Sequence, residues 1–200
     1  MYKNMMAGGE FAQRIMKRKL ERPKVFDIHR KIVRQAMNHY LGEPKSLYDV
    51  GFGAGSIMMV AREEGIESVG GNDLNGHAAK VLQDQGYDAV CAFTQDLCVT
   101  KQYDIITCLD YLEHSYTPSA DLKFMYELLN DNGILFLKTL YLDSPKHKDM
   151  GVSWPLFGQG HFHFFWPDVL KDMFTETGFE ILECKSAALI TIIAKKPAKS

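Results

Sequence analysis

A run of alternating glycines, Asp49-Val50-Gly51-Phe52-Gly53-Ala54-Gly55, has the spacing of a ligand-binding loop. Glycines placed in this way let the backbone bend sharply and approach a ligand closely, and a helix that begins at Ser56 would add unpaired N–H groups. The third glycine comes one residue earlier than in the G-x-G-x-x-G loop that binds dinucleotides. The carboxylate of Asp49 beside the loop would repel a pyrophosphate and attract an ammonium or sulfonium group. The loop therefore predicts a cationic ligand.

These residues resemble the first motif, D/E-x-G-x-G-x-G, of the class I S-adenosylmethionine-dependent methyltransferases, a family that includes the ubiquinone-pathway O-methyltransferases. The resemblance covers residues 46 to about 196. It implies an enzyme that uses S-adenosyl-L-methionine, and an α/β fold with one Rossmann-like, doubly wound sheet of seven strands whose last strand is antiparallel. It also implies a set of cofactor-binding residues, which are Asp49, Gly51, Gly53, Gly55, Asp73, Leu74, Asp96, Leu97 and Leu109.

Asp73 is a second candidate ligand, because it follows a short predicted strand and comes 22 residues after Gly51. A ribose-binding acid lies near this place in βαβ nucleotide folds, where two carboxylate oxygens can accept from both ribose hydroxyls. The alternative is that Asp73 only caps the next helix. In the resembled family Leu74 would lie against adenine, Asp96 would accept from the adenine amino group, and the amide of Leu97 would meet the ring.

Three histidines are candidate general bases for a hydroxyl acceptor, because imidazole titrates near neutral pH. His114 follows the predicted strand 103–109 and would stand at the mouth of the site. His161 and His163 belong to an irregular, aromatic-rich segment, 141–166, which predicts a lid over the site. Successive side chains of an extended chain point to opposite sides, so His161 and His163, two residues apart, would lie on the same side. The alternative is that this segment is a packed connection whose aromatic rings fill the core.

The run Asp110-x-x-Glu113-His114 also has the ligand types for a divalent cation. It is similar to the E-x-x-E-H run of the ubiquinone-pathway O-methyltransferases and of the small-RNA 3'-end 2'-O-methyltransferases. Asp110 replaces the first glutamate of that run and shortens the reach of the ligand. We therefore do not favour a metal, and Asp110, Glu113 and His114 are the alternative metal-binding set.

Hydrophobic periodicity predicts the elements that position these residues. Two helices, separated by Pro23, are predicted within residues 1–45, and this segment would pack on or cap a core formed by residues 46–200. Strands and helices then alternate, which implies a doubly wound parallel sheet. The predicted helices are 10–21, 25–41, 56–64, 76–85, 118–130 and 168–177, and the predicted strands are 47–50, 68–70, 87–93, 103–109, 134–140 and a hairpin over 180–195.

Composition indicates an ordinary soluble globular chain, with 200 residues, 46% hydrophobic residues and a formal net charge of -2. The four cysteines include no C-x-x-C pair, which argues against a zinc knuckle or a disulfide framework and favours reduced thiols. No apolar run reaches the length of a membrane span, and the N-terminus lacks the apolar core of a signal peptide. We therefore expect a cytoplasmic protein with no membrane partner.

The predicted methyl acceptor is a small molecule with a hydroxyl group, because an aromatic lid suits an apolar or ring-bearing acceptor. RNA 2'-O-methylation is the second prediction, since residues 1–45 carry 11 Lys or Arg against 4 Asp or Glu. A protein that binds S-adenosylmethionine or S-adenosylhomocysteine without catalysis is the alternative from another class. The sequence leaves the oligomeric state open.

Overall fold

A computed structural model describes residues 21–158 and 160–198, together with the single positions Glu10, Gln13, Arg14 and Lys17. Apart from those positions and Glu21, the helix predicted over residues 10–21 lies outside the described residues. Among the helices of the described part, none combines the length and the hydropathy that crossing a bilayer requires.

Strands and helices alternate along the described residues as the hydrophobic pattern predicted. The strands are β1 (Ser46–Val50), β2 (Ser68–Asp73), β3 (Asp88–Cys91), β4 (Tyr103–Leu109), β5 (Leu129–Leu140), β6 (Glu180–Ser186) and β7 (Leu189–Lys195). The α-helices are α1 (Pro23–His39), α2 (Ser56–Glu63), α3 (Gly76–Asp84), α4 (Pro118–Leu128), α5 (Pro145–Met150) and α6 (Pro167–Thr177).

The seven strands form one sheet in the order β3-β2-β1-β4-β5-β7-β6. β7 pairs antiparallel with both β5 and β6, and the other pairings are parallel. This confirms the predicted seven-stranded sheet with an antiparallel last strand. The strand order reverses between β1 and β4, and a doubly wound sheet binds ligands outside the carboxyl ends of its strands at such a point.

Helices cover both faces of the sheet, and β4 shows why its sequence is almost continuously apolar. Ile105 packs into a cluster with α1, α2 and α3, whereas Ile106 packs into a second cluster with α4 and α6. Both side chains are fully buried. A strand with helices on both faces has no polar side, which is the pattern predicted for a central parallel strand.

Several boundaries differ from the predictions for local reasons. Pro23 does not merely separate two helices; it occupies the first turn of α1, where the N–H that proline lacks would have no helical partner. α4 ends at Leu128 and β5 begins at the next residue, so the gap between the predicted helix 118–130 and the predicted strand 134–140 is an irregularity inside β5, with Asn132 at φ 64°. The predicted lid contains α5, which is capped by the side chain of Ser144.

Two sets of polar contacts fix α1 to the rest of the fold. Near its middle, Arg30 and Arg34 pair with Glu64 at 2.7 Å and 2.6 Å. Beyond its end, the buried carboxylate of Asp104 accepts from the Tyr40 hydroxyl at 3.0 Å. The Asp104 carboxylate also accepts from the backbone N–H of Lys45 and Ser46, the hydroxyl of Ser46 and the amide of Asn130. Helix α1 is thereby fixed to the end of α2 near its middle and to the amino ends of β1 and β4 beyond its own end.

Candidate functional site

A cavity of about 790 Å³ opens at the carboxyl ends of β1, β2 and β4. This is the edge of the sheet at which the strand order reverses. The glycine loop, the ends of β2 and β4, the start of α1 and part of the segment after α5 supply its walls. The cavity therefore gathers most of the candidate residues that are far apart in the sequence.

The glycine loop turns back over the end of β2 through left-handed backbone conformations. Gly51, Gly53 and Gly55 have φ values of 75°, 59° and 80°. The N–H of Gly51 donates to the carbonyl oxygen of Asn72 at 2.8 Å. A Cβ at Gly51 would lie 2.7 Å from a ring carbon of Tyr111, so both the conformation and the space require glycine there.

Gly55 lies in a different environment from Gly51 and Gly53. Gly51 and Gly53 line the cavity, whereas Gly55 is buried against α3. A Cβ at Gly55 would lie 2.7 Å from two methyl carbons of Leu82. The structure thus places Gly55 at the contact between α2 and α3, immediately before the first residue of α2.

Asp49 lies beneath the loop and is 3% exposed. Its carboxylate accepts from the hydroxyl of Thr107 on the neighbouring strand β4, at 2.7 Å. Asp49 also lines the cavity. A carboxylate in such a place favours a cationic group in the bound ligand.

Asp73 joins the glycine loop to the end of β2. One carboxylate oxygen accepts from the N–H of Gly53 at 2.7 Å, and the other accepts from the N–H of Asn75 at 2.7 Å. The cap of α3 is provided by Asn75, whose side chain accepts from the N–H of Ala78. Asp73 is therefore not the capping residue of that helix, and it lines the cavity.

The remaining predicted cofactor residues fall into two groups. Leu74 and Leu109 line the cavity. Asp96 and Leu97 do not line the cavity. In the segment that follows β3, the lining residues are instead Gln95 and the three residues before it. Asp96 ends a short 3-10 turn and is exposed.

A chain of buried polar contacts crosses the floor of the cavity, and sequence reasoning missed it. The Tyr111 hydroxyl lies 2.8 Å from the Thr94 hydroxyl and 3.2 Å from the Asp121 carboxylate. The Ser115 hydroxyl donates to the same carboxylate at 2.5 Å. Burial raises the pKa of both Asp121 and Tyr111. Nothing in the residue types or spacing indicates this contact, since it joins the end of β3 to the first turn of α4.

Two of the three predicted histidines meet at one end of the cavity. The rings of His114 and His161 have centroids 4.5 Å apart, and both line the cavity. Nδ1 of His114 lies 2.8 Å from the carbonyl oxygen of Gly160, and Nδ1 of His161 lies 2.6 Å from that of Leu156. A carbonyl oxygen can only accept, so Nδ1 carries the hydrogen in each ring and Nε2 is the basic atom of the neutral form.

His163 takes another position. Its ring stacks on Phe165 with centroids 6.0 Å apart, and it does not belong to the cavity lining. The N–H groups of Phe162 and His163 both donate to the carbonyl oxygen of Glu113. The segment is not a regular strand there, so the alternation expected of an extended chain does not keep His161 and His163 together.

Glu113 lies behind the histidine pair and is almost fully buried. Burial raises the pKa of its carboxyl group to about 7, although the Thr139 hydroxyl donates to it at 2.8 Å. Glu113, His114 and His161 each offer a ligand atom, and these atoms lie within 4.8 Å of one another. These three side chains have the types that could hold a divalent cation.

Asp110 does not join that group. Its carboxylate pairs with the ammonium group of Lys138 on β5 at 3.3 Å. Its backbone has φ 51°, a conformation that is uncommon outside glycine, and its N–H donates to the carbonyl oxygen of Lys138. Of the alternative metal set, the structure thus gathers Glu113 and His114, and the third neighbour is His161.

Comparison with known proteins agrees with this geometry. Residues 16–184 match the model of a family described as a methyltransferase domain. The chain belongs to this family. The family is that of the class I S-adenosylmethionine-dependent methyltransferases, whose cofactor is S-adenosyl-L-methionine.

Two relatives of the methyltransferase carry related names. It is 38% identical over 109 residues to the mitochondrial ubiquinone biosynthesis O-methyltransferase of Saccharomyces cerevisiae, in an alignment that covers 49% of this chain and 34% of that protein. It is 28% identical over 104 residues to the ubiquinone biosynthesis O-methyltransferase of Pseudomonas entomophila, covering 48% and 44% of the two chains. The matched part is less than half of each relative.

The fold of the methyltransferase also matches solved structures. The plantazolicin methyltransferase BpumL, solved in complex with SAH, superimposes with a TM-score of 0.73 at 12% identity, covering 98% of this chain and 94% of that one. A likeness at this identity shows that the two proteins share the methyltransferase fold.

Proposed function

We propose that this methyltransferase transfers the methyl group of S-adenosylmethionine to a hydroxyl oxygen of a small molecule, with His114 as the general base. The pairing of His114 with His161 at one end of the cavity carries the proposal. Histidine is the side chain whose pKa best suits proton removal near neutral pH. The two relatives named O-methyltransferases support a hydroxyl acceptor.

The reaction would be an in-line displacement at the methyl carbon. The acceptor oxygen forms a bond to that carbon, the carbon–sulfur bond breaks, and the electron pair stays on sulfur as S-adenosylhomocysteine leaves. The hydroxyl proton passes to Nε2 of His114, because Nδ1 is directed at the carbonyl oxygen of Gly160. Most of the acceleration would come from alignment and the exclusion of water, and the base would add about 100-fold.

An acceptor with an aromatic or apolar body fits the same end of the cavity. The exposed ring of Tyr116 stacks on that of Phe162, with centroids 4.9 Å apart, and Tyr116 also lines the cavity. Planar apolar walls of this kind favour a ring-bearing small molecule. RNA is less well supported, because Arg30 and Arg34 of the basic N-terminal segment pair with Glu63 and Glu64 at the end of α2.

The test is turnover of S-adenosylmethionine with a panel of phenols and aliphatic alcohols. We expect His114→Ala to lower kcat about 100-fold and to remove the acidic limb of the pH–rate profile. His161→Ala should have a smaller effect, and His163→Ala the smallest, because its ring packs on Phe165 outside the cavity. His77→Gln, on α3, is the matched control. Unchanged turnover and an unchanged pH profile in His114→Ala would refute the base assignment.

Two further measurements separate the alternatives. Turnover after treatment with a chelator and after addition of Mg²⁺ or Zn²⁺ shows whether Glu113, His114 and His161 act as metal ligands, since a bound metal would make activity depend on the added ion. Methylation of an RNA substrate at low and moderate salt tests the second acceptor class, because binding to phosphates weakens steeply with salt. Methylation of RNA in place of the small-molecule panel would overturn the proposed acceptor.

A further inference from the structure

A buried carboxylate on the floor of the cavity has no positively charged partner. Asp121, in the first turn of α4, is 4% exposed and lines the cavity. The hydroxyls of Ser115 and Tyr111 lie 2.5 Å and 3.2 Å from its Oδ2 atom, and no hydrogen bond of the described residues reaches Oδ1. Among the described lining residues, Arg22 is the one side chain with a permanent positive charge, and it forms no ion pair with Asp121. Burial raises the pKa of the Asp121 carboxyl.

The other three carboxylates of the lining have partners or a role of their own. Asp110 pairs with Lys138 at 3.3 Å, and Asp73 accepts from two backbone N–H groups. Asp49 lies beneath the glycine loop, where it is the candidate for the cationic groups of the cofactor. An ionised carboxylate that is buried without a counter-ion is unfavourable. Asp121 is thus the lining carboxylate without a counter-ion or an expected cofactor contact.

A chain of hydrogen bonds that begins on β2 supports the ionised form of this carboxylate. An ionised carboxylate can only accept, so the Tyr111 hydroxyl donates to Asp121 and is left to accept from the Thr94 hydroxyl, 2.8 Å away. Thr94 in turn accepts from the side-chain amide of Asn72 at 2.9 Å. The partial positive charge at the start of α4 acts in the same direction. These groups favour the charged carboxylate, but none of them is a cation.

Asn72 offers a second buried acceptor on the floor of the cavity. It is 1% exposed and lines the cavity, and its Oδ1 atom has no hydrogen-bond partner among the described residues. Buried polar atoms without a partner are rare in folded proteins and are unfavourable. With Oδ1 of Asp121, the floor therefore presents two open acceptors. A ligand group that brings donors and a positive charge would satisfy it, whereas an acidic group would be repelled.

We propose that Asp121 binds an ammonium group of the methyl acceptor, so that the acceptor is a ring-bearing compound with both a hydroxyl and an amine. The inference rests on the proposed function, which supplies the ring and the hydroxyl. An ammonium would provide the counter-ion that Asp121 lacks, and hydrogen bonds between charged groups are about twice as strong as neutral ones. The ring of Tyr111, whose hydroxyl contacts Asp121, adds an aromatic surface of the kind that attracts cations.

The chain links this carboxylate to the histidine end of the cavity. Ser115, whose hydroxyl donates to Asp121, directly follows the proposed base His114, and both line the cavity. The ring of Tyr116, stacked on that of Phe162, belongs to the same end. A phenol with an amine on its side chain is complementary to a base, an aromatic wall and a carboxylate. The ammonium group of S-adenosylmethionine is the other source of the same chemistry, and the experiment separates the two sources.

The experiment is calorimetry on the full chain loaded with S-adenosylhomocysteine, using three phenols that differ in charge. Tyramine carries an ammonium, para-ethylphenol is neutral, and para-hydroxyphenylacetate carries a carboxylate. We expect wild type to bind tyramine about 10- to 100-fold more tightly than para-ethylphenol, the range for a hydrogen bond to a charged group, and to bind the acid most weakly. The kcat/KM values for methylation should follow the same order.

Asp121→Asn is the test variant, because it removes the charge and keeps an oxygen that can accept from the hydroxyls of Ser115 and Tyr111. It should abolish the preference for tyramine over para-ethylphenol. Glu127→Gln is the matched control. It removes an exposed carboxylate from the same helix, outside the cavity lining, and should keep the preference of wild type.

Three outcomes would overturn the proposal. Equal binding of tyramine and para-ethylphenol by wild type would show that the cavity does not select an ammonium. An equal loss of affinity for all three phenols in Asp121→Asn would assign Asp121 to the fold of the site. A loss of affinity for S-adenosylhomocysteine in Asp121→Asn, with the preference for tyramine intact, would assign the carboxylate to the ammonium group of the cofactor.

Phenethylamine separates this inference from the proposed function, because it has the ring and the ammonium of tyramine and no hydroxyl. We expect wild type to bind phenethylamine and Asp121→Asn to bind it about 10- to 100-fold more weakly. Failure of the hydroxyl-acceptor proposal would leave this result unchanged, since no methyl transfer takes place in the calorimeter. Equal binding of phenethylamine by wild type and Asp121→Asn would refute the assignment of the ammonium to Asp121.

Discussion

Glu113→Gln should make the stability of this protein less dependent on pH. Burial raises the pKa of the Glu113 carboxyl from 4.5 to about 7, so the folded state holds a proton that the unfolded state releases. The stability that this proton contributes is complete below the unfolded pKa of about 4.5 and is lost as pH rises through about 7. At higher pH the loss amounts to about 3 kcal/mol, since each pKa unit corresponds to about 1.4 kcal/mol.

Glutamine keeps the shape of the side chain and does not titrate. The free energy of unfolding of Glu113→Gln relative to wild type should therefore increase by about 2 kcal/mol between about pH 5.5 and about pH 8. Urea denaturation at the two pH values measures this difference. A chelator is included throughout, because a divalent cation held by Glu113 and its histidine neighbours would keep the carboxylate ionised.

Thr139→Val is the matched control, and it should act in the opposite direction. The Thr139 hydroxyl donates to Glu113 at 2.8 Å and favours the ionised carboxylate, so its removal should steepen the loss of stability with rising pH. A Glu113→Gln difference that is the same at both pH values would show that Glu113 titrates normally and would refute the reasoning from burial.

Three further predictions concern the loop, β2 and the base of the sheet. Gly51→Ala should lower affinity for S-adenosylhomocysteine at least about tenfold by calorimetry, because the glycine has φ 75° and its new Cβ would clash with a tyrosine ring. Asp73→Asn should weaken the same affinity by a similar factor. The carboxylate of Asp73 accepts hydrogen bonds from two backbone N–H groups, and the amide NH2 of asparagine would face one of these donors without being able to accept. Asp104→Asn should lower the free energy of unfolding by about 2 to 4 kcal/mol in urea, since the buried carboxylate accepts five hydrogen bonds. Burial by itself would raise the pKa of the Asp104 carboxyl, but the hydrogen bonds lower it by more, so the pKa lies below its usual value. The stability that these bonds contribute is therefore present at neutral pH and is lost below about pH 4.

The amino-acid sequence was sufficient for the features that depend on neighbouring residues. The backbone of the glycine loop is left-handed at Gly51 and Gly53 because glycine alone adopts such angles without strain. The almost continuously apolar run of β4 indicated a strand covered on both faces. Asp49 and Asp73 could be chosen as candidate ligands from their positions relative to those elements. The order of strands and helices could be predicted from hydrophobic periodicity.

Tertiary structure alone decided which distant side chains share the cavity. His114 meets His161 rather than His163 because the lid segment runs along the carbonyl oxygen of Glu113 without forming a regular strand. Arg22 reaches the cavity because ion pairs hold α1 against α2. The raised pKa of Glu113 depends on how many groups bury it. Burial and approach between separate segments arise from the packing of the whole chain, and no local spacing encodes them.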